Sequence, residues 1–195
     1  MAPILTPRLP VLLESRPVTM DYLPARPADA PAIAALHALS WRANYRGILP
    51  DGLLDGPIEE EHLAVWRERL ASPRPERQFI LLARGTDGLR GFVSVLLDQE
   101  PAWGARLENL HVHPENKGQG MGRALLVRAR EWVEAVTPGN RLHLWVLAKN
   151  APARAFYERL GGAPAEEGLW QVPSGEAVAE LRYLWPALAP RTGMA

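Results

Sequence analysis

The segment that most constrains this chain is Leu107–Leu126, LENLHVHPENKGQGMGRALL. An apolar strand ends at His113-Pro114. The glycine-rich run Lys117-Gly118-Gln119-Gly120-Met121-Gly122 follows and opens directly into an amphipathic helix. Strand, glycine turn and helix in that order gather free backbone N–H groups and the positive end of a helix dipole at one point. Such a point suits a phosphate or pyrophosphate. Three phosphate sites compete for the spacing. A P-loop requires a lysine directly after its last glycine, and Gly122 is followed by Arg123. A dinucleotide turn requires GxGxxG after the first strand of a βαβ unit, whereas here the glycines stand at 118, 120 and 122 behind antiparallel strands. The third is a turn for the pyrophosphate of coenzyme A.

The rest of the sequence predicts the scaffold. Val18–Leu23 alternates as a strand, and Asp29 stands where it would cap a helix carrying Ile33, Leu36 and Ser40 on one face. Residues 44–57, dense in Gly and Pro, read as irregular loop. Glu59–Leu70 is a helix with Leu63, Val65, Trp66 and Leu70 as its apolar contacts. Phe79–Arg84 and Gly91–Leu97 form a hairpin around Gly85–Gly88, and Leu107–Val112 is the next strand. Met121–Val136 is a helix with Leu125, Leu126, Ala129, Trp132, Val133 and Val136 near one stripe. Leu142–Leu147 is a buried strand, Asn150 caps a helix over Ala151–Leu160, and Gly168–Val172 and Ala177–Trp185 close the chain as a strand pair. The order β α α β β β α β α β β describes one α/β (α+β) domain with a mixed sheet flanked by helices, expected over residues 18–186. Residues 1–17, with four prolines, are expected as a flexible extension, and 187–195 as a tail.

Composition excludes several function classes. Lys plus Arg and Asp plus Glu each number 22, so no basic excess points to nucleic acid. No apolar run approaches the roughly 18–20 residues of a membrane span, and residues 1–17 lack the basic start of a signal peptide. There is no cysteine, hence no disulfide, thiolate metal site or cysteine nucleophile, and a cytoplasmic location is expected. His111 and His113 form an H-x-H pair without a third ligand, so no metal is expected; His113-Pro114 shapes the strand exit, and His111 is expected to be exposed or hydrogen-bonded.

The glycine run resembles the pyrophosphate motif [QR]-x-x-G-x-[GA] of the GNAT superfamily of N-acetyltransferases, with Lys117 where Arg or Gln is usual. The resemblance extends to Leu110-His111-Val112-His113-Pro114 before the turn. It continues from Leu144–Leu147 through Asn150 to Phe156-Tyr157-Glu158-Arg159-Leu160-Gly161-Gly162. The segment Trp41-Arg42-Ala43-Asn44-Tyr45-Arg46-Gly47-Ile48-Leu49-Pro50 is similar to a bacterial subgroup of the same family. The resemblance implies a mostly antiparallel sheet whose central strands splay apart. It also implies acetyl-CoA as co-substrate and direct attack by an acceptor amine in a ternary complex.

By the same resemblance, Leu110, His111 and Val112 line the pantetheine arm. Lys117, Gly118, Gln119, Gly120, Met121, Gly122 and Arg123 hold the pyrophosphate, and Asn150 and Tyr157 contact the cofactor. Tyr157 is the implied general acid. Glu108 is the candidate base, because in a regular strand it shares a face with Leu110 and Val112, although ordered water serves in many such enzymes. Trp41, Tyr45, Arg46 and Trp103 are candidates for binding a small-molecule or peptide amine, aromatic walls suiting a cation and Arg46 a carboxylate. The alternative is a sensor that binds acyl-CoA, or a module that keeps the fold without catalysis. Homodimers are common in such folds, but no interface is legible.

Overall fold

The computed structural model describes residues 20–188 apart from Ser174. The expected extension, Val18 and Thr19, and residues 189–195 lie outside the described residues. Seven strands form one sheet in the order β1-β2-β3-β4-β5-β7-β6. They are β1 (Asp21–Pro24), β2 (Gln78–Gly85), β3 (Gly88–Glu100), β4 (Gly104–Val112), β5 (Leu142–Leu147), β6 (Ala163–Gln171) and β7 (Ala177–Trp185). The helices are α1 (Ala30–Tyr45), α2 (Asp51–Leu54), α3 (Ile58–Ala71), α4 (Met121–Val136) and α5 (Ala151–Arg159).

Alternation along β2 and β3 sends side chains to two cores. Leu81, Ala83, Val93 and Val95 meet the α4 stripe of Leu125, Leu126, Ala129 and Val133, together with Tyr157 of α5. Ile80, Leu82 and Phe92 meet Ile33 and Leu36 of α1 and Trp66 and Leu70 of α3. The sheet therefore separates an α4/α5 face from an α1/α3 face.

Every strand pair is antiparallel except β4 with β5. Those two run parallel and pair only at Ala105–Leu142 and Arg106–His143. Beyond that point they part, so the expected splay is present.

Local chemistry departs from the sequence reading in several places. Asp29 makes no side-chain cap on α1. Its carboxylate instead accepts from Arg26 N, at 2.8 Å, and pairs with Arg84. The expected loop 44–57 contains the one-turn helix α2, and Leu49 and Leu54 are buried with Ala38, Ile58, Leu147 and Val172. Apolar anchoring, not a periodic pattern, holds this segment down. Val65 is half exposed and leaves the α3 contacts to its neighbours. Val136 at the end of α4 is likewise exposed. β6 starts at Ala163, five residues before the expected Gly168, because the exposed run Ala163–Glu167 pairs β7 from the sheet edge. An edge strand without a buried face carries no alternation to read.

A candidate acyl-transfer site at the parted strands

β4 contains a bulge. Ser94 faces Asn109, yet Val95 faces Leu107, so Glu108 is the extra residue. The bulge corrects the expectation that Glu108 shares a face with Leu110 and Val112. Leu107, Leu110 and Val112 pack toward the α4/α5 core. Glu108 instead reaches Arg106 Nε at 2.9 Å and Arg69 of α3 at 3.9 Å, which puts it on the α1/α3 face. His111 is also on that face, against Phe92.

Past the bulge, the backbone direction is set by pairing with β3. His113 N donates to Arg90 O at 2.8 Å, so the odd-numbered residues turn their amides toward β3. The amides and carbonyls of Leu110 and Val112 therefore face the other way, into the gap left by β5. An extended polar chain can pair there by strand addition.

The glycine turn lies at the mouth of this gap. Gly118 and Gly120 adopt φ of +76° and +81°, and nothing lies within 4 Å of a Cβ built on either. The turn is thus an open cradle, with Gly120 in the left-handed conformation directly before α4. The free amides of the first turn of α4 and its dipole face that cradle. Gly122 acts in packing instead. A Cβ there would press on the Phe156 ring at 3.2 Å, so glycine brings α4 close to α5. Lys117 is exposed and its ammonium donates to Asn44 Oδ1 of α1. Gln119 Nε2 donates to Glu115 O at 3.0 Å, bracing the turn.

α5 starts where Asn150 Oδ1 accepts from Ala153 N at 3.3 Å, the cap the sequence predicts. That start aims Tyr157 into the α4/α5 core beside Phe156, Tyr183 and Trp185. Tyr157 is 9% exposed, and its hydroxyl finds no hydrogen-bond partner among the described residues. Burial, reinforced by the nearby Tyr45 phenol, pushes the Tyr157 pKa well above that of a free tyrosine. Burial pushes Tyr45 up to about 12. Both phenols therefore keep their protons.

The other expected acceptor residues separate. Trp41 and Tyr45 stack edge to face at 5.4 Å, and Trp41 meets Trp170 of β6 at 6.0 Å. Arg46 turns outward, with its guanidinium on Asp51 at 2.8 Å and Asp55 at 2.6 Å, so it is already paired within the chain. Trp103 lies before the start of β4, at the end remote from the glycine turn, and covers the Arg182 guanidinium at 4.4 Å. Its contact is with the Arg182 cluster, away from the glycine turn.

Sequence reading misses a histidine stack. His37 of α1 and His62 of α3 lie face to face, 3.7 Å between centroids and 9° between planes. His111 of β4 adjoins His37 at 4.6 Å. Burial drives all three imidazoles below their ordinary pKa, His62 to about 4 and His111 to about 3, so they are neutral. Nε2 of His37 and Nε2 of His62 are buried with no hydrogen-bond partner among the described residues. His111, left open in the sequence as exposed or hydrogen-bonded, is buried and bonded to Ser40 Oγ at 2.8 Å. The α1 spacing His37, Ser40, Trp41, Asn44 carries the signal. It marks a polar line on an otherwise apolar helix face. No cluster of His, Asp or Glu able to hold a metal occurs among the described residues.

Residues 33–162 match the model of the acetyltransferase (GNAT) family. An uncharacterised N-acetyltransferase, YuaI of Bacillus subtilis, is 25% identical over 85% of this chain and 92% of its own length. Streptothricin acetyltransferase of Streptomyces lavendulae is 31% identical over 74% of this chain and 82% of its own length. The crystal structure of PaiA N-acetyltransferase from Thermoplasma acidophilum, in complex with coenzyme A, superimposes with a TM-score of 0.67. It covers 83% of this chain and 98% of its own, at 18% identity.

Proposed function

Because the chain belongs to the GNAT family and is an N-acetyltransferase with acetyl-CoA as donor, we propose that a primary amine of a small-molecule or peptide acceptor attacks directly in a ternary complex. The observation that carries this reading is the coincidence, at one end of β4, of a backbone gap and an open glycine cradle. The residues present fit the donor. The backbone of Leu110 and Val112 is free toward the gap for the pantetheine amides. Gly118, Gly120 and the first amides of α4 offer an unobstructed anion cradle. Lys117, Gln119, Met121, Gly122 and Arg123 frame that cradle.

When bound, acetyl-CoA supplies a thioester whose carbonyl carbon is open to the amine. A free N–H of Leu110 or Val112 stabilises negative charge developing on an oxygen in the gap. Tyr157 holds a proton at its unpartnered hydroxyl and gives it to the departing thiolate; a raised pKa makes it an acid only toward a strong base. Glu108 is the carboxylate on the α1/α3 face, braced by Arg106, and is the candidate base. Trp41 and Tyr45 wall the acceptor side.

Calorimetric binding of acetyl-CoA, followed by thiol release over an amine panel, tests this reading. Binding without turnover on any amine would favour a sensor. Tyr157→Phe is expected to lower kcat about 100-fold, the lower range for loss of a general acid, with acetyl-CoA affinity within about twofold. Unchanged kinetics would remove Tyr157 from the chemistry. Glu108→Gln should lower kcat by about 100-fold, the lower range for loss of a general base, and an unaltered kcat would exclude it as the base.

A further inference from the structure

A continuous polar chain joins the glycine turn to the histidine stack, and its donor inventory gives it a direction. Lys117 can only donate, so the Asn44 group that meets it is the Oδ1 acceptor. The Asn44 amide nitrogen must then face α1, where it donates to Ser40 O at 2.7 Å and to Ser40 Oγ at 3.0 Å. Asn44 uses one of the two Ser40 Oγ lone pairs, and His111 Nδ1, at 2.8 Å, is the acceptor within reach of the single Ser40 hydroxyl hydrogen. A neutral imidazole that accepts at Nδ1 carries its hydrogen on Nε2. The neighbouring His37 follows the same logic. The Trp66 indole, a donor only, is 3.3 Å from His37 Nδ1, so His37 is also an Nε2–H imidazole.

We propose that Lys117, Asn44 and Ser40 are positioning residues that hold His111 as a neutral Nε2–H donor, so that it serves the acceptor side as a hydrogen-bond donor to a carbonyl or carboxylate oxygen rather than as a base. The placement supports this role. His111 lies between Leu110 and Val112, whose backbone faces the gap, and its side chain is on the α1/α3 face with Glu108. The relay also gives Lys117 a second duty. An ammonium has three hydrogens, so it can hold Asn44 with one and an anion in the cradle with another. The acceptor role rests on the acetyl-transfer reading, whereas the locked tautomer does not.

The test is long-range ¹H–¹⁵N correlation of the imidazoles in the full-length protein at neutral pH. His111 should show one tautomer, with a bare Nδ1 and a protonated Nε2. Ser40→Ala should move Nδ1 away from that pure state into a tautomer mixture. Lys117→Met, at an exposed site with little risk to folding, should shift it in the same direction by a smaller amount. His143, whose Nδ1 is held by Arg182 at 2.9 Å, should keep its pattern in both variants and reports an intact fold. A wild-type His111 with its hydrogen on Nδ1, or an unmoved His111 in both variants, would overturn the relay. As a separate arm, calorimetry with coenzyme A should show several-fold weaker binding to Lys117→Met. Absence of coenzyme A binding to the wild-type protein would defeat the reading of the turn while leaving the tautomer result to stand or fall alone.

Discussion

The two ends of β4 are built on opposite principles. At its start β4 pairs with β5, and the polar groups there compensate one another. Arg182, nearly buried, meets Glu100, Glu166 at 2.7 Å and His143 at 2.9 Å. Its faces are covered by Trp103 at 4.4 Å and Trp145 at 4.2 Å. Only Nε2 of His143 is left over. At its far end β4 has no partner on one side. It lies beside a histidine stack with two nitrogens that have no hydrogen-bond partner among the described residues. Buried polar groups cost stability unless they are paired. The closed end therefore reads as structural, and the open end as the place where a ligand completes the bonding. The length of β4 between Gly104 and His111 is enough to keep the two environments apart.

The largest effect expected from challenging this contrast is at the closed end. Gly104 has φ of +99°, and a Cβ there would fall on Arg141 O and Asn140 Oδ1. Backbone cannot yield as a flexible side chain can. Gly104→Ala should cost about 3 kcal/mol or more, the sum of left-handed strain and overpacking. Urea unfolding measures that loss, and the folded fraction should bind coenzyme A normally. A small loss would mean that the β4–β5 junction is looser than its geometry implies.

Much of this organisation is legible in the sequence, and the exceptions have physical causes. The glycine turn, the Asn150 cap and the α4 stripe are local devices whose residues touch near neighbours, so spacing alone reveals them. Glu108 is misplaced by spacing because a bulge is decided by how β3 and β4 register, and no residue in LEN announces it. Arg46 and Trp103 have side chains suited to a ligand, but Asp51, Asp55 and Arg182 claim them first. The histidine stack is invisible for a related reason. His37, His62 and His111 are far apart in the chain and meet only when α1, α3 and β4 pack together.

The histidine stack supplies the second test, through acid sensitivity. His111 is lowered from 6.5 to about 3, first by burial and then by His62, which acid protonates before it, and by the Lys117 charge. His37 faces it, and Arg69 adds further positive charge to His37. A group whose folded pKa lies below its unfolded value is protonated first in the unfolded chain. Acid therefore favours unfolding, with stability complete above 6.5 and lost as pH falls toward about 3. Each such group contributes up to about 1.4 kcal/mol per pH unit. His111→Gln keeps an acceptor for Ser40 and removes one titrating site. Its unfolding free energy between pH 6.5 and pH 5 should fall less steeply than that of the wild type by about that slope. Identical slopes would show that the imidazole is protonated in the folded protein.

The smallest change in stability should accompany the sharpest change in binding, at the open end. Gly120 matches Gly104 in having a positive φ, +81°, but nothing lies within 4 Å of a Cβ added to it. Gly120→Ala therefore carries backbone strain alone, about 1 kcal/mol, with no overpacking. Yet that Cβ would stand in the open space of the turn, where the proposed function has the backbone amides approach an anion closely. Coenzyme A affinity should drop at least about tenfold, equivalent to about 1.4 kcal/mol of binding, while the urea midpoint falls by only about 0.5 M. The paired alanines thus separate the two uses of a left-handed glycine. At Gly104 the missing Cβ makes room for the protein's own backbone, and at Gly120, on the proposed function, it makes room for a ligand. If Gly120→Ala bound coenzyme A as tightly as the wild type, the glycine would be no more than a way of turning the chain from β4 into α4.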